Sequence, residues 1–159
     1  MKTNLKQISL LLLSLCAFPS CGGNDDDDRD LEYPVISAQG ITPSPVNGQV
    51  VERGGILSVK YVFTDNAELG AFNIEVHHDF DHHTHSTSPG EYTLDEKKDP
   101  VNPWVFNQDY SIPTGLKRYV AQLDIPVPED IDTGDYHFMI RLTDTSGWQQ
   151  LFAAEIKVK

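Results

Sequence analysis

Asp132-Thr133-Gly134-Asp135-Tyr136-His137-Phe138-Met139-Ile140-Arg141-Leu142-Thr143 is the stretch on which the fold turns. Tyr136, Phe138, Ile140 and Leu142 alternate with His137, Met139, Arg141 and Thr143, the period-two pattern of a strand with one face in a core. Asp144-Thr145-Ser146-Gly147 then supplies turn chemistry, and Phe152, Ala154, Ile156 and Val158 read as inward positions of a last strand. Working back towards the N-terminus, Tyr119 to Ile125 and Trp104-Val105-Phe106 form two more candidate strands. Phe72, Ile74 and Val76 face one side of another, with Asn73, Glu75 and His77 on the opposite side. Leu57, Val59, Tyr61 and Phe63 alternate with Ser58, Lys60 and Thr64, bounded by Gly54-Gly55 and Asp65-Asn66. With an opening strand near Val35-Ile36 the total is seven. Strands at this spacing, without a helical stripe longer than a turn or two, predict a single all-β sandwich over residues 31–159.

Asp132-Thr133-Gly134-Asp135-Tyr136 resembles the D-x-G-x-Y run that opens the sixth strand of immunoglobulin-like domains. The tyrosine hydroxyl there bonds back to nearby backbone as a tyrosine corner. Phe138 stands where an antibody domain has its second cysteine. The resemblance is therefore to disulfide-free, immunoglobulin-like modules of bacterial surface proteins.

The N-terminus has a different character. Lys2 and Lys6 precede an apolar run from Ile8 to Phe18, which ends in small or turn-forming residues up to Ser20-Cys21. Such a run is short of the roughly 20 residues a membrane span needs, and it reads as a cleaved secretory signal. The small Ser20 before Cys21, against the bulky Leu15 before Cys16, resembles a lipoprotein processing site, although Phe18 stands where leucine is more usual. The expectation is a signal peptide over 1–20, a lipid on Cys21, an acidic tether over 21–30 and the sandwich beyond it. Asp25-Asp26-Asp27-Asp28-Arg29-Asp30 cannot bury itself and reads as solvated spacer. It resembles the acidic signal after the lipidated cysteine of surface-displayed Bacteroidetes lipoproteins, which implies an outer-membrane anchor, a cell-surface location and an outer-membrane transport system as candidate partner.

The full chain has 12 Lys and Arg against 24 Asp and Glu. Cleavage after Ser20 removes two lysines and no acid, which takes the net charge from −12 to −14. That balance argues against nucleic acid as a partner. With Cys21 the one cysteine left, no internal disulfide forms, and the core must supply the stability.

Five of the six histidines fall in His77-His78-Asp79-Phe80-Asp81-His82-His83-Thr84-His85, and the sixth is His137. Imidazole is the commonest transition-metal ligand; the alternative is a solvated loop rich in histidine. The H-x-H of His83-Thr84-His85 and the triplet Asp81-His82-His83 match motifs of metal-dependent hydrolases and phosphoesterases. Those enzymes are built on larger scaffolds, so both matches are coincidental. In an immunoglobulin-like order the third and sixth strands are antiparallel neighbours, and parity sets His77 and His137 on the outward face, close enough to share an ion. The long connection 78–103, of a length that is usually functional or disordered, would fold back to add His83 and His85. The predicted ligands are His77, His83, His85 and His137, with His78, Asp79, Asp81 and His82 as supporting or alternative groups.

Phe72 to Ser86, with Gly134-Asp135-Tyr136-His137 and Asp144-Thr145-Ser146-Gly147, resembles the short Bacteroidetes lipoproteins grouped under a domain of unknown function (DUF4625-like). The likeness spans essentially the whole mature chain. It implies the lipoprotein context and the His-rich loop, and no reaction. Ligand type therefore has to choose the metal. Imidazole suits zinc first and copper next, while calcium and magnesium want oxygen. The favoured reading is a non-catalytic metal-binding lipoprotein that captures or buffers zinc or copper. A second is an adhesion module for glycan or protein, in which Trp104, Trp148 and Tyr92 could stack on a sugar. A hydrolase with three histidines and an open water is the remaining route to an enzyme.

Overall fold

Apolar alternation is converted into eight strands in the computed structural model, which describes residues 29–84 and 93–159. Cys21, Asp25 to Asp28, His85 and Tyr92 lie outside the described residues. The strands are β1 (Val35–Ser37), β2 (Gln49–Val51), β3 (Ile56–Thr64), β4 (Leu69–His78), β5 (Phe106–Ser111), β6 (Arg118–Pro126), β7 (Gly134–Asp144) and β8 (Gln149–Val158). They form two sheets, ordered β1-β3-β6 and β2-β8-β7-β4-β5. The sheets face each other as an immunoglobulin-like sandwich.

Between the sheets lie the inward positions that the alternation marks. Leu57, Val59 and Phe63 of β3 meet Phe72, Ile74 and Val76 of β4, Phe138, Ile140 and Leu142 of β7, and Ala154 and Ile156 of β8, all in one buried cluster. Complete burial of a side chain of this size stabilises by about 1.5–3 kcal/mol, so this cluster is what holds a domain with no internal disulfide.

Two elements differ from the sequence reading. Gln49–Val51 adds an eighth strand, parallel to β8; three residues are too few to display an alternation. The strand expected at Trp104-Val105-Phe106 instead begins at Phe106, runs to Ser111 and pairs with β4. Trp104 precedes it and is buried in the core, 4% exposed.

The tyrosine corner is present and does more than its motif implies. Tyr136, fully buried, donates its hydroxyl to the Asp132 carbonyl at 2.6 Å. The same oxygen accepts the Trp104 amide at 3.2 Å. One buried phenol thus ties the start of β7 to the chain that enters β5, and it fixes the end of the sandwich where the histidines gather.

Candidate metal centre

Register, more than any single side chain, assembles this site. β4 and β7 pair antiparallel with His77 opposite His137, and β7 pairs β8 with His137 opposite Glu155. The neighbours Val76, Phe138 and Ala154 all point into the core. A side-chain period of two therefore sends His77, His137 and Glu155 to the other face of the sheet as one row. The His77 and His137 rings lie 5.3 Å apart between centroids.

The expectation that both histidines face solvent needs revision for His137, whose side chain is 2% exposed. The chain after β4 covers it. The ladder runs one step further, with the Asp79 amide donating to the Asp135 carbonyl at 2.9 Å. Phe80 then buries its ring edge-on to Tyr136 at 5.3 Å, with the Lys98 ammonium 4.3 Å above it. Gly134 makes room for that ring, since a Cβ there would stand 3.1 Å from it. The His82 amide closes a turn on the Asp79 carbonyl at 3.2 Å, and His82 adopts the left-handed region with φ of 56°, uncommon but tolerated by histidine. The turn brings His83 back over the row. Its carbonyl faces His137 Nε2 at 3.1 Å, and its ring stacks on His77 with centroids 5.3 Å apart.

The returning segment fastens this turn. Lys98 donates its amide to the Phe80 carbonyl at 3.1 Å, and Lys97 its ammonium to the Asp81 carbonyl at 2.7 Å. His82 Nε2 meets the Asp95 carbonyl at 3.0 Å. Asp95 in turn accepts from Lys157 of β8 at 2.7 Å. Over residues 77–84 the His-rich segment is thus held against the sheet, with Asp81 and Thr84 exposed.

Three imidazoles result, each with Nδ1 against its own carboxylate. His77 Nδ1 lies 2.9 Å from Glu75, His83 Nδ1 2.6 Å from Asp81 and His137 Nδ1 2.7 Å from Glu155. This is the outer-shell arrangement that orients metal-binding histidines and raises their basicity. Each of the three rings offers one nitrogen within 4.8 Å of the other two. His77 Nε2 and His83 Nε2 stand 3.2 Å apart, near the roughly 3.4 Å edge of a tetrahedron with bonds of about 2.1 Å. Asp79 Oδ1 lies 3.3 Å from His137 Nε2. That oxygen is buried without a well-formed hydrogen bond, and what it faces is imidazole: His83 Nδ1 is also 3.4 Å away, so the charge of Asp79 is answered when a neighbouring ring is protonated.

Electrostatics at the row follow from the same contacts. Burial opposes a charge on His137, but the hydrogen bond and charge of Glu155, the charge of Asp79 and the His83 carbonyl outweigh it, and its pKa rises above 6.5. Burial raises the Asp79 pKa, with the Glu155 charge adding to it and the histidines opposing. Asp81 is lowered, chiefly by its hydrogen bond with His83. A proton on His137 is therefore held by the same carboxylates that gather around the three rings.

Of the residues singled out in the sequence, His77, His83, His137, Asp79 and Asp81 converge. His85 lies outside the described residues. His78 turns aside, its ring 4.8 Å from Phe80, and His82 is held against Asp95. Sequence reasoning missed Glu75 and Glu155. Glu75 carried a signal, because it is two residues from His77 on the same strand face. Glu155 could be found only from the register of β8 on β7. As to the aromatic residues, Trp104 is in the core, and Trp148 is half-buried against Tyr33 with ring centroids 4.8 Å apart, so Trp104 offers no stacking face.

Comparison with known proteins adds a family and no reaction. The family model for a domain of unknown function, DUF4625, matches residues 20–159, and the chain belongs to that family. No curated protein matches it.

Proposed function

From a family that assigns no reaction, we propose that this protein binds a single transition-metal ion, zinc first and copper next, through His77, His83 and His137. The observation that supports this is that each Nδ1 lies against a separate carboxylate while one nitrogen of each ring comes within 4.8 Å of those of the other two. The fourth ligand in this reading is His85, which lies outside the described residues, or Asp79, whose Oδ1 is 3.3 Å from His137 Nε2. A shell closed by four protein groups leaves no place for an activated water, so the function is capture or buffering of the ion and not catalysis.

The setting of this activity is the outer membrane. Cleavage after Ser20 and lipid on Cys21 would tether the domain through the acidic run, on the cell surface, where it could hand its ion to an outer-membrane transport complex. Cys21→Ala should release the protein from membranes and abolish fatty-acid labelling, and Cys16→Ala should do neither.

Calorimetric titration of the purified full chain with zinc is the test of the metal reading. One equivalent bound tightly, with protons released, is expected. Heats no larger than those of dilution would overturn it.

A further inference from the structure

Three aspartates far apart in sequence meet at the opposite end of the β4–β7 ladder. Asp30 precedes β1, Asp65 follows β3 and Asp144 ends β7. Each offers a carboxylate oxygen within 4.8 Å of those of the other two. His137 and Asp144 are seven residues apart along β7, roughly 23 Å at about 3.3 Å per residue. This cluster is thus separate from the histidine centre.

Each carboxylate is anchored by one oxygen. Asp30 Oδ1 accepts the Glu32 amide at 3.1 Å and the Asn66 side chain at 2.9 Å. Asp65 Oδ1 accepts the Ala67 amide at 2.8 Å, and Asp144 Oδ1 the Trp148 amide at 2.8 Å. The other oxygen of each, Oδ2, is buried without a well-formed hydrogen bond, with the Ser146 hydroxyl also near the Asp30 carboxylate. Asp144 is the decisive member, because the residue as a whole is 4% exposed. No Lys, Arg or His forms an ion pair with the three among the described residues. Unpaired carboxylate oxygens brought together out of water repel one another and lack solvation, and a cation answers both costs.

From the convergence of three anchored carboxylates on the partnerless, buried Asp144 Oδ2, we infer that Asp30, Asp65 and Asp144 form a calcium site. The donors are all oxygen, the preference of a hard cation, and calcium accepts the irregular geometry that turns and strand ends provide, with water completing its shell. The backbone supports the placement. A bulge between Leu69 and Ala71 interrupts the β4–β7 ladder beside Asp144, and a Cβ on Gly70 would stand 2.9 Å from the Asp144 carbonyl. β4 can come this close only with glycine there.

The consequence concerns how the domain leaves its tether. Asp30 is the last residue of the acidic run, and its carbonyl accepts the Trp148 indole N–H at 3.0 Å. Calcium at this site would clamp the end of the tether to the β3–β4 and β7–β8 turns and fix the direction in which the domain stands.

Terbium, a luminescent calcium substitute, tests this through energy transfer from Trp148 and Tyr33. On the full chain in detergent, sensitised terbium emission displaced by calcium is expected, with calcium raising Tm by on the order of 5 °C. Asp65→Asn and Asp144→Asn should each weaken calcium binding at least about tenfold, with circular dichroism confirming that each variant is folded. His77→Ala should leave the emission unchanged, which separates this site from the histidine centre. Absence of emission, or emission and calcium displacement that persist in folded Asp65→Asn as in the parent chain, would overturn the inference and assign any bound ion to the acidic run before Asp30.

Discussion

At one end of the β4–β7 ladder three imidazoles are braced by separate carboxylates, and at the other three carboxylates are braced by backbone and amide donors. Both ends use the same device, in which one atom of each polar group is tied to a neighbour and the groups converge on a shared centre. They differ in donor chemistry and in how the donors arrive. The histidines His77 and His137 come from adjacent strands in fixed register. The aspartates come from the segment before β1, the turn after β3 and the end of β7. Nitrogen at one end suits zinc or copper and oxygen at the other suits calcium, so two ions need not compete for one site.

The contrast can be broken most sharply by removing its strand-borne ligands. His137→Ala should weaken zinc binding by about 100-fold or more, and His77→Ala by a similar factor, because a lost ligand costs more than the roughly 10–100-fold of a lost supporting group. Equal losses measured by competition with a chromophoric chelator would show that the sheet builds the site. If His83→Ala alone mattered, the turn would be a local chelator.

Glu155→Gln sharpens the same point one layer out. Zinc affinity should fall about 10–100-fold, with the onset of acid release displaced as well. The sign follows from His137. Its folded pKa is raised above 6.5, so without metal its protonation stabilises the fold below 6.5, and that stabilisation is lost as pH rises through the raised value. Zinc must displace that proton, so affinity in the parent chain should begin to fall at a pH above 6.5 as the solution is acidified. In Glu155→Gln the hydrogen bond and charge that raise the pKa are gone, and the fall should begin at lower pH. Zinc titrations across pH read both effects; an onset unmoved by the substitution would contradict the bracing role.

Legibility in the sequence follows the same division. The inward faces of β3, β4, β7 and β8 were readable because alternation over nine or more residues leaves one face for the core. Parity then places His77 and His137 side by side from the sequence alone. β2 was not readable, since Gln49–Val51 is short and pairs in parallel with a strand about a hundred residues on. The start of β5 was misplaced because Trp104-Val105-Phe106 has the composition of a strand, whereas Trp104 is drawn into the core under the Tyr136 hydroxyl. Glu155 and the aspartate cluster were hidden for one reason: Asp30, Asp65 and Asp144 each look like ordinary turn or tether residues until tertiary structure brings them together.

Tyr136→Phe probes the histidine end without touching a ligand. It leaves the ring in place but strands the Asp132 carbonyl and the Trp104 amide, so stability should fall by about 1–3 kcal/mol in chemical denaturation. A change near zero would mean that water replaces the hydroxyl. The smallest effect expected is from His82→Ala, whose ring faces the Asp95 carbonyl and not the cluster; zinc affinity should stay within about threefold, or roughly 0.6 kcal/mol. A larger loss would bring His82 into the ligand set.

X-ray absorption at the zinc edge of the loaded full chain addresses the central claim most directly. Three imidazole rings with one oxygen, or four rings, with bonds of about 2.0–2.2 Å, are expected, falling by one ring in His137→Ala. A first shell made of oxygen alone, or a ring count unchanged by His137→Ala, would contradict the account.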